Sequence, residues 1–343
     1  MNLNKVTMSF SITIKPSDEK FVAEASKSIL ESAIESGIDF PHGCKMGDCK
    51  RCECKVLSGL FETKNYLKKI SNNDNSDLNI LACRSYPLSD MVVEQVDLLI
   101  QKHIGKIVSM EKVADNVISL DIKLLSSRPF IFKEGQYIDI VLDRNIRRSY
   151  SISNSPRINN ILNFHIRHFR GGYFTDKLFG YDSSRIFKIN DLMNLEGPFG
   201  NFTLKKESCN PIIFLAGGTG FAPIKSMIEY ILLFRKWRPI YLYWSVKNIK
   251  DMYMRDLIDS WIKTIPNLHY TPVVSNKLTT NYDWNGKVGD VHNVVMEDIP
   301  DMIEYEVYAS GSPDIVELAR INFISQCNLK CSNFFADPFY LYD

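Results

Sequence analysis

The sequence predicts a multidomain protein of mixed α+β and α/β class: an α+β module, a small antiparallel β-barrel, and a parallel α/β module, in that order. Three observations carry this. Five of the eight cysteines fall in the first quarter of the chain, at 44, 49, 52, 54 and 83, in a stretch that breaks regular patterning. From 103 to 207 the chain runs in short β-rich segments such as GQYIDIVL and NILNFHIRHF with turns between them, the pattern of an antiparallel barrel. From Pro211 onward apolar runs alternate with helix-period stretches, the rhythm of a parallel sheet with crossover helices. The expected boundaries are 1–98, 103–207 and 208–343.

Length and composition agree. A chain of 343 residues has room for two or three domains. With 45% hydrophobic and 24% charged residues, each domain can bury a core. The formal net charge is only +1, so no basic excess exists to neutralise phosphates, and nucleic acid is not an expected partner. No apolar run reaches the roughly 18 residues of a membrane span. Met1 to Lys15 lacks a charged head followed by an apolar block. The chain reads as soluble and cytoplasmic, where clustered cysteines point to metal or redox chemistry rather than disulfides.

In order along the chain, Val6, Met8, Phe10, Ile12 and Ile14 alternate with Thr7, Ser9, Ser11 and Thr13, which predicts a half-buried strand. Ser28 and Glu31 have capping-box spacing before Ile29, Leu30, Ala33 and Ile34, and Gly37 follows as a C-terminal cap. The Cys-rich stretch PHGCKMGDCKRCECKVLSG comes next, then a polar segment at 71–79 leading to Cys83. In the last module IIFLAG meets a Gly-rich turn and a helical stretch with Ile224, Met227, Ile228, Ile231 and Leu232. IYLYWS (240–245) and EVYASG (306–311) repeat the strand-then-turn theme.

Cys44-x4-Cys49-x2-Cys52, with Cys83 after thirty intervening residues, is the plant-type spacing for a [2Fe–2S] cluster. A tight loop must wrap three thiolates around one end of the cluster, and Gly43 and Gly47 allow the backbone to fold closely there. Cys54, on a strand beginning near Glu53, is expected to point away, as alternate residues do. The same four thiols also admit a structural zinc site. Arg148-Ser149-Tyr150-Ser151 offers a guanidinium for a pyrophosphate, a phenol ring for an isoalloxazine and a hydroxyl for Ser151 near the ring nitrogens. Gly171-Gly172, before Tyr173, Phe174 and Thr175, opens a helix with amides and a hydroxyl available to phosphate, or is an ordinary Gly-Gly turn. In the sharper signal a buried strand runs into Gly217, Gly218, Thr219 and Gly220, with Pro223 in the first turn of a helix. Backbone can approach a dinucleotide pyrophosphate there, although the spacing is not GxGxxG and tight packing alone would also use it. The six histidines offer no metal spacing beyond His165-x2-His168, whose side chains face opposite sides of a strand. No hydrolytic triad or carboxylate pair is legible.

These motifs, with GPFG (197–200), GGTGFAP (217–223) and the closing FFADPF (334–339), resemble one family over essentially the whole chain: iron–sulfur flavoprotein reductases built on ferredoxin–NADP reductase modules. The resemblance implies a plant-type ferredoxin β-grasp domain, an FAD-binding antiparallel β-barrel and an NAD(P)H-binding parallel α/β domain. It implies electron flow from NADH (or NADPH) at Gly217–Gly220, through FAD at Arg148–Ser151 and Gly171–Thr175, to a cluster on Cys44, Cys49, Cys52 and Cys83. Ser310, Tyr150 and Asp337 are the implied catalytic residues, Ser310 beside the nicotinamide. FLAGGTGFAPIKSM, RRSYSISN, HYTPVVS and FFAD look most like the branch that serves 3,6-dideoxyhexose synthesis for surface polysaccharide. There the electron-acceptor protein is a pyridoxamine-phosphate-dependent sugar dehydratase. Two other readings stand beside it: the reductase of a ring-hydroxylating oxygenase or monooxygenase, and a non-catalytic redox sensor. Three positions depart from the family pattern. Lys50 replaces a small residue, Ser310 in Ser310-Gly311-Ser312-Pro313 replaces Cys, and no ribose-binding carboxylate sits beside Lys247. The resemblance favours NADH.

Overall fold

The computed structural model describes residues 8–340 except 39, 43, 44, 46, 48, 49, 64–77, 96–100, 127–128, 144–145, 157–159, 183–185, 235–237 and 276–283. The chain forms two compact units, Met1–Leu99 and Ile100–Asp343.

In the first unit, β1 (Ser9–Lys15) and β2 (Glu19–Glu24) form a hairpin, followed by α1 (Ile29–Glu35). The capping box is present: Glu31 N–H donates to Ser28 Oγ at 3.2 Å, and Ser28 N–H to Glu31 Oε2 at 2.9 Å. Gly37 follows the helix at φ +75°, the left-handed position that glycine fills without steric cost. Then come β3 (Glu53–Ser58), β4 (Phe61–Thr63), β5 (Leu78–Leu81), a single turn at Ala82–Arg84, β6 (Ser85–Pro87) and β7 (Met91–Gln95). The main sheet runs β2-β1-β7-β3-β5, with β1 and β7 parallel and the other neighbours antiparallel. Ile12 and Ile14 are fully buried against Ile29, Leu30 and Ala33. Met8, expected on the same face, lies before the strand and is exposed. Ile34, at the helix edge, is 36% exposed. Val6 and most of the polar 71–79 segment lie outside the described residues.

The second unit carries two sheets. β8 (Gln101–Ala114), β9 (Val117–Leu124), β10 (Tyr137–Val141), β11 (Arg147–Ser151), β12 (Ile161–Arg167) and β13 (Leu192–Phe199) form an antiparallel sheet in the order β11-β10-β13-β8-β9-β12. Its two ends meet just beyond β11, where Ser153 N–H donates to Asn163 O at 2.8 Å. The short helix α2 (Thr175–Phe179) precedes β13. Leu162, Phe164 and Ile166 of β12 point into the barrel core, which turns Asn163, His165 and Arg167 outward.

The second sheet is parallel throughout, in the order β17-β16-β15-β14-β18-β19. Its strands are β14 (Ile212–Gly217), β15 (Ile240–Val246), β16 (Leu268–Val274), β17 (Lys287–Val288), β18 (Glu306–Gly311) and β19 (Phe334–Pro338). The helices are α3 (Phe221–Phe234), α4 (Arg255–Thr264), α5 (Val291–Asp298) and α6 (Pro313–Gln326). Ile212, Phe214 and Ala216 pack on the α3 and α4 side, Ile213 and Leu215 on the α5 and α6 side. A strand buried on both faces reads as a continuous apolar run. Among the described residues no helix is long and apolar enough to cross a membrane.

Candidate functional site

In the first unit, Cys52 and Cys83 are both buried in the module core, at 2% and 6% exposure. Ala82 N–H donates to Cys52 O at 3.0 Å, so a backbone hydrogen bond brings together two cysteines thirty-one positions apart. Gly47, between Cys44 and Cys49 in sequence, packs on the same turn: a Cβ there would stand 3.0 Å from Arg84 Cγ. Cys44, Cys49 and Gly43 lie outside the described residues. Lys50 adopts φ +55°, a left-handed conformation that disfavours a side chain with a Cβ. Cys54 is fully buried on β3, opposite Ile80. Burial pushes its thiol up to about 12, and it behaves as an apolar core residue. Two buried thiols converging beside a glycine-bearing loop fit a [2Fe–2S] cluster.

In the second unit, β11 carries Arg147–Ser151 at the edge of the barrel sheet. Tyr150 is half-buried and packs on Phe174, ring centroids 5.6 Å apart. Burial pushes its phenol above the usual range, so it stays protonated. Arg148 donates to Arg147 O at 3.0 Å, and Ser151 Oγ donates to Asp337 Oδ2 at 3.0 Å. The Gly-Gly turn differs from the sequence reading. Gly171 N–H donates to Asp176 Oδ2 at 3.0 Å and Gly172 N–H to Phe169 O at 2.9 Å. Thr175 Oγ1 donates to Phe169 O at 3.0 Å and accepts from Phe169 N–H at 3.2 Å. These groups hold the loop closed because a tight turn must satisfy its own backbone first.

The Gly-rich turn leaves β14 through a 3-10 turn, Gly218–Gly220, and enters α3 with Pro223 in its first turn. Gly218 has φ +55°, and its carbonyl accepts from Trp244 Nε1 at 2.9 Å. A Cβ on Gly220 would lie 2.2 Å from Ser310 O, so only glycine lets the ends of β14 and β18 approach. Ser310 also departs from expectation. It is fully buried, and its hydroxyl donates to Asp337 O at 3.1 Å. It reaches the site through Asp337, whose carboxylate holds Ser151. The structure thus links three predicted residues, Ser151, Asp337 and Ser310, in one chain from barrel to parallel sheet.

The outward face of β12 was not singled out from sequence. A Cβ on Gly218 would stand 3.4 Å from an Arg167 guanidinium nitrogen, which places a cation at the Gly-rich turn. His165 Nδ1 is 3.1 Å from Tyr253 OH, and its ring lies parallel to Phe221. Burial, then the Lys225 charge, pushes His165 down to about 3. His168 pairs with Asp176 at 2.7 Å. Both histidines make polar side-chain contacts. The alternation in ILNFHIR would have shown a polar face, but not what it meets. A glycine-rich turn at a helix start, with a guanidinium over it, fits a dinucleotide pyrophosphate. A protonated phenol on a strand whose serine is held from across the site fits a flavin.

Comparison with known proteins agrees. Residues 12–88 match the 2Fe-2S iron-sulfur cluster binding domain, 104–204 the oxidoreductase FAD-binding domain, and 214–320 the oxidoreductase NAD-binding domain. The chain belongs to the iron–sulfur flavoprotein reductases, and is an NAD(P)H-dependent oxidoreductase that uses a [2Fe–2S] cluster, FAD and a nicotinamide dinucleotide. It is 34% identical, over 97% of its length and 99% of the relative's, to the CDP-6-deoxy-L-threo-D-glycero-4-hexulose-3-dehydrase reductase of Yersinia pseudotuberculosis. It is also 34% identical to Protein RfbI of Salmonella typhimurium, over 97% of each chain. Among solved structures it is similar in fold to the Amycolatopsis cytochrome P450 reductase GcoB, with a TM-score of 0.69 and 23% identity over 96% of this chain and 98% of that one.

Proposed function

We propose that this protein passes electrons from NADH, through FAD and a [2Fe–2S] cluster, to a pyridoxamine-phosphate-dependent sugar dehydratase in the cytoplasm, for 3,6-dideoxyhexose synthesis. The observation that carries it is the 34% identity, over nearly the full length of both chains, to a reductase named for a CDP-6-deoxy-L-threo-D-glycero-4-hexulose-3-dehydrase. The site chemistry supports the same reading. The modules are taken as 1–98, 103–207 and 208–343, and the cluster ligands as Cys44, Cys49, Cys52 and Cys83.

FAD, when bound, supplies the conversion of a two-electron hydride into single electrons. The chain's own residues supply position. The Gly217–Gly220 turn and the first turn of α3 receive the dinucleotide pyrophosphate, with Arg167 adding charge. Arg148, beside the 169–175 loop, would hold the FAD pyrophosphate. The Tyr150 ring would lie against the isoalloxazine. Ser151, held by Asp337, presents its hydroxyl near the ring nitrogens, and Ser310 fixes the strand that carries Asp337. Buried Cys52 and Cys83 would supply two of the four thiolates that hold the cluster.

Anaerobic titration of the purified protein with NADH tests this. Visible absorbance of flavin and cluster should bleach, at lower concentration with NADH than with NADPH. A sugar 3-dehydrase loaded with pyridoxamine phosphate and its CDP-6-deoxyhexulose should restore it. Reoxidation by an oxygenase component instead, with none by the dehydrase, would overturn the assignment of partner. Absence of bleaching would overturn the electron path.

A further inference from the structure

The helix that follows the Gly-rich turn is bound to the barrel by side chains that no step of the proposed mechanism uses. Lys225, on α3, is only 8% exposed. Its Nζ donates to Glu229 Oε1 at 2.7 Å and to Ser153 O at 3.3 Å. Glu229 Oε2 accepts from Ser155 N–H at 3.0 Å, and Ser226 Oγ donates to Asn154 O at 2.8 Å. One helical turn therefore grips three consecutive residues, 153–155, of the other sheet's edge.

The place of this grip matters. Ser153 is two residues beyond Ser151, a reach of about 7 Å in extended chain. Lys225 is five residues beyond Gly220, about 7.5 Å along a helix. The levers from the clamp to the flavin strand and to the dinucleotide turn are both short. Hydride transfer requires reacting atoms about 3 to 3.5 Å apart, and a misplacement of about 1 Å costs on the order of a hundredfold. A charge pair this buried is also costly to break on one side, because the remaining charge loses its partner.

We infer that Lys225 and Glu229 are positioning residues for hydride transfer: they fix the segment after the flavin strand to the helix that carries the dinucleotide turn. The inference rests on the proposed electron path from nicotinamide to flavin. It assigns no contact with either cofactor.

The test compares Lys225→Met, Glu229→Gln and Lys225→Arg in the full-length, FAD- and cluster-loaded protein. Hydrogen exchange of peptides spanning 152–156, followed by mass spectrometry without NADH, reads the clamp itself. Exchange should rise at least tenfold in Lys225→Met and Glu229→Gln, and return toward wild type in Lys225→Arg. FAD content and NAD+ affinity should stay within about twofold of wild type. The stopped-flow rate of flavin reduction by NADH should fall at least tenfold in the first two variants and recover in the third, so that kcat falls while KM holds. Faster exchange with an unchanged reduction rate would overturn the inference and leave the electron path standing. If Lys225→Met fails to fold, Glu229→Gln, which removes only the charge, decides by the same two readouts. A wild-type protein that NADH does not reduce would instead overturn the electron path itself.

Discussion

The cluster module and the flavin–nucleotide unit hold their chemistry in opposite ways. In the first unit the functional atoms are side-chain sulfurs of widely spaced residues, and the fold's task is to bring Cys52 and Cys83 to one place. The Ala82–Cys52 backbone hydrogen bond and the Gly47–Arg84 packing do that. In the second unit many functional groups are backbone, and side chains act by fixing one element against another: Ser151 on Asp337, Ser310 on Asp337, Trp244 on Gly218. A site made of ligands fails when one atom is lost. A site made of positions degrades by degrees.

The largest expected effect lies on the cluster side. Cys83→Ser replaces a thiolate with a poor ligand. The cluster's visible absorbance should vanish, and reduction of a one-electron protein acceptor should fall at least a hundredfold. NADH–ferricyanide reduction, which flavin alone performs, should persist. Loss of both activities with FAD still bound would show that the two units do not act in series. Persistence of both would remove Cys83 from the ligand set.

On the other side, Gly220→Ala tests position through backbone. Its Cβ would meet Ser310 O at 2.2 Å, and such overpacking costs roughly 1 to 3 kcal/mol. Urea midpoints read from tryptophan fluorescence should fall, and the NADH KM should rise roughly thirtyfold, with the cluster spectrum unchanged. All four tryptophans lie beyond residue 230, so this signal reports on the second unit alone. An unaltered KM would mean that the close approach of β14 and β18 does not shape the dinucleotide site.

Ser310→Ala removes one hydroxyl behind Asp337. Flavin reduction should slow roughly tenfold, about 1.4 kcal/mol, while Ser310→Cys should retain activity. Equal rates in wild type and Ser310→Ala would make the hydroxyl purely structural.

An effect of similar size, on stability rather than rate, concerns pH. His165 is held neutral in the fold, down to about 3, whereas an unfolded histidine titrates near 6.5. Above that value both states are neutral and nothing changes. As pH falls below it the unfolded chain takes up a proton that the folded chain refuses, so stability declines from pH 6.5 toward 3. His165→Phe should flatten the decline by on the order of 1 to 2 kcal/mol at pH 5. Parallel pH profiles for both proteins would show that His165 is not the titrating group.

Much of this was legible in the sequence because local rules leave local marks. The cysteine spacing, the Ser28–Glu31 box, the switch from period two to helical period and the glycines before Pro223 each reflect a constraint that acts within a few residues. Sequence alone thus determined the three architectures, the cofactor types and which segments carry them. Only the tertiary structure decided what meets across elements. Ser310 is buried behind Asp337, and the amides of Gly171 and Gly172 are already paired. The polar face of β12 ends at the Gly-rich turn, and Lys225 reaches the barrel. Alternation shows that a side chain faces out, but the partner it faces depends on how two distant segments pack, and no short stretch of sequence records that.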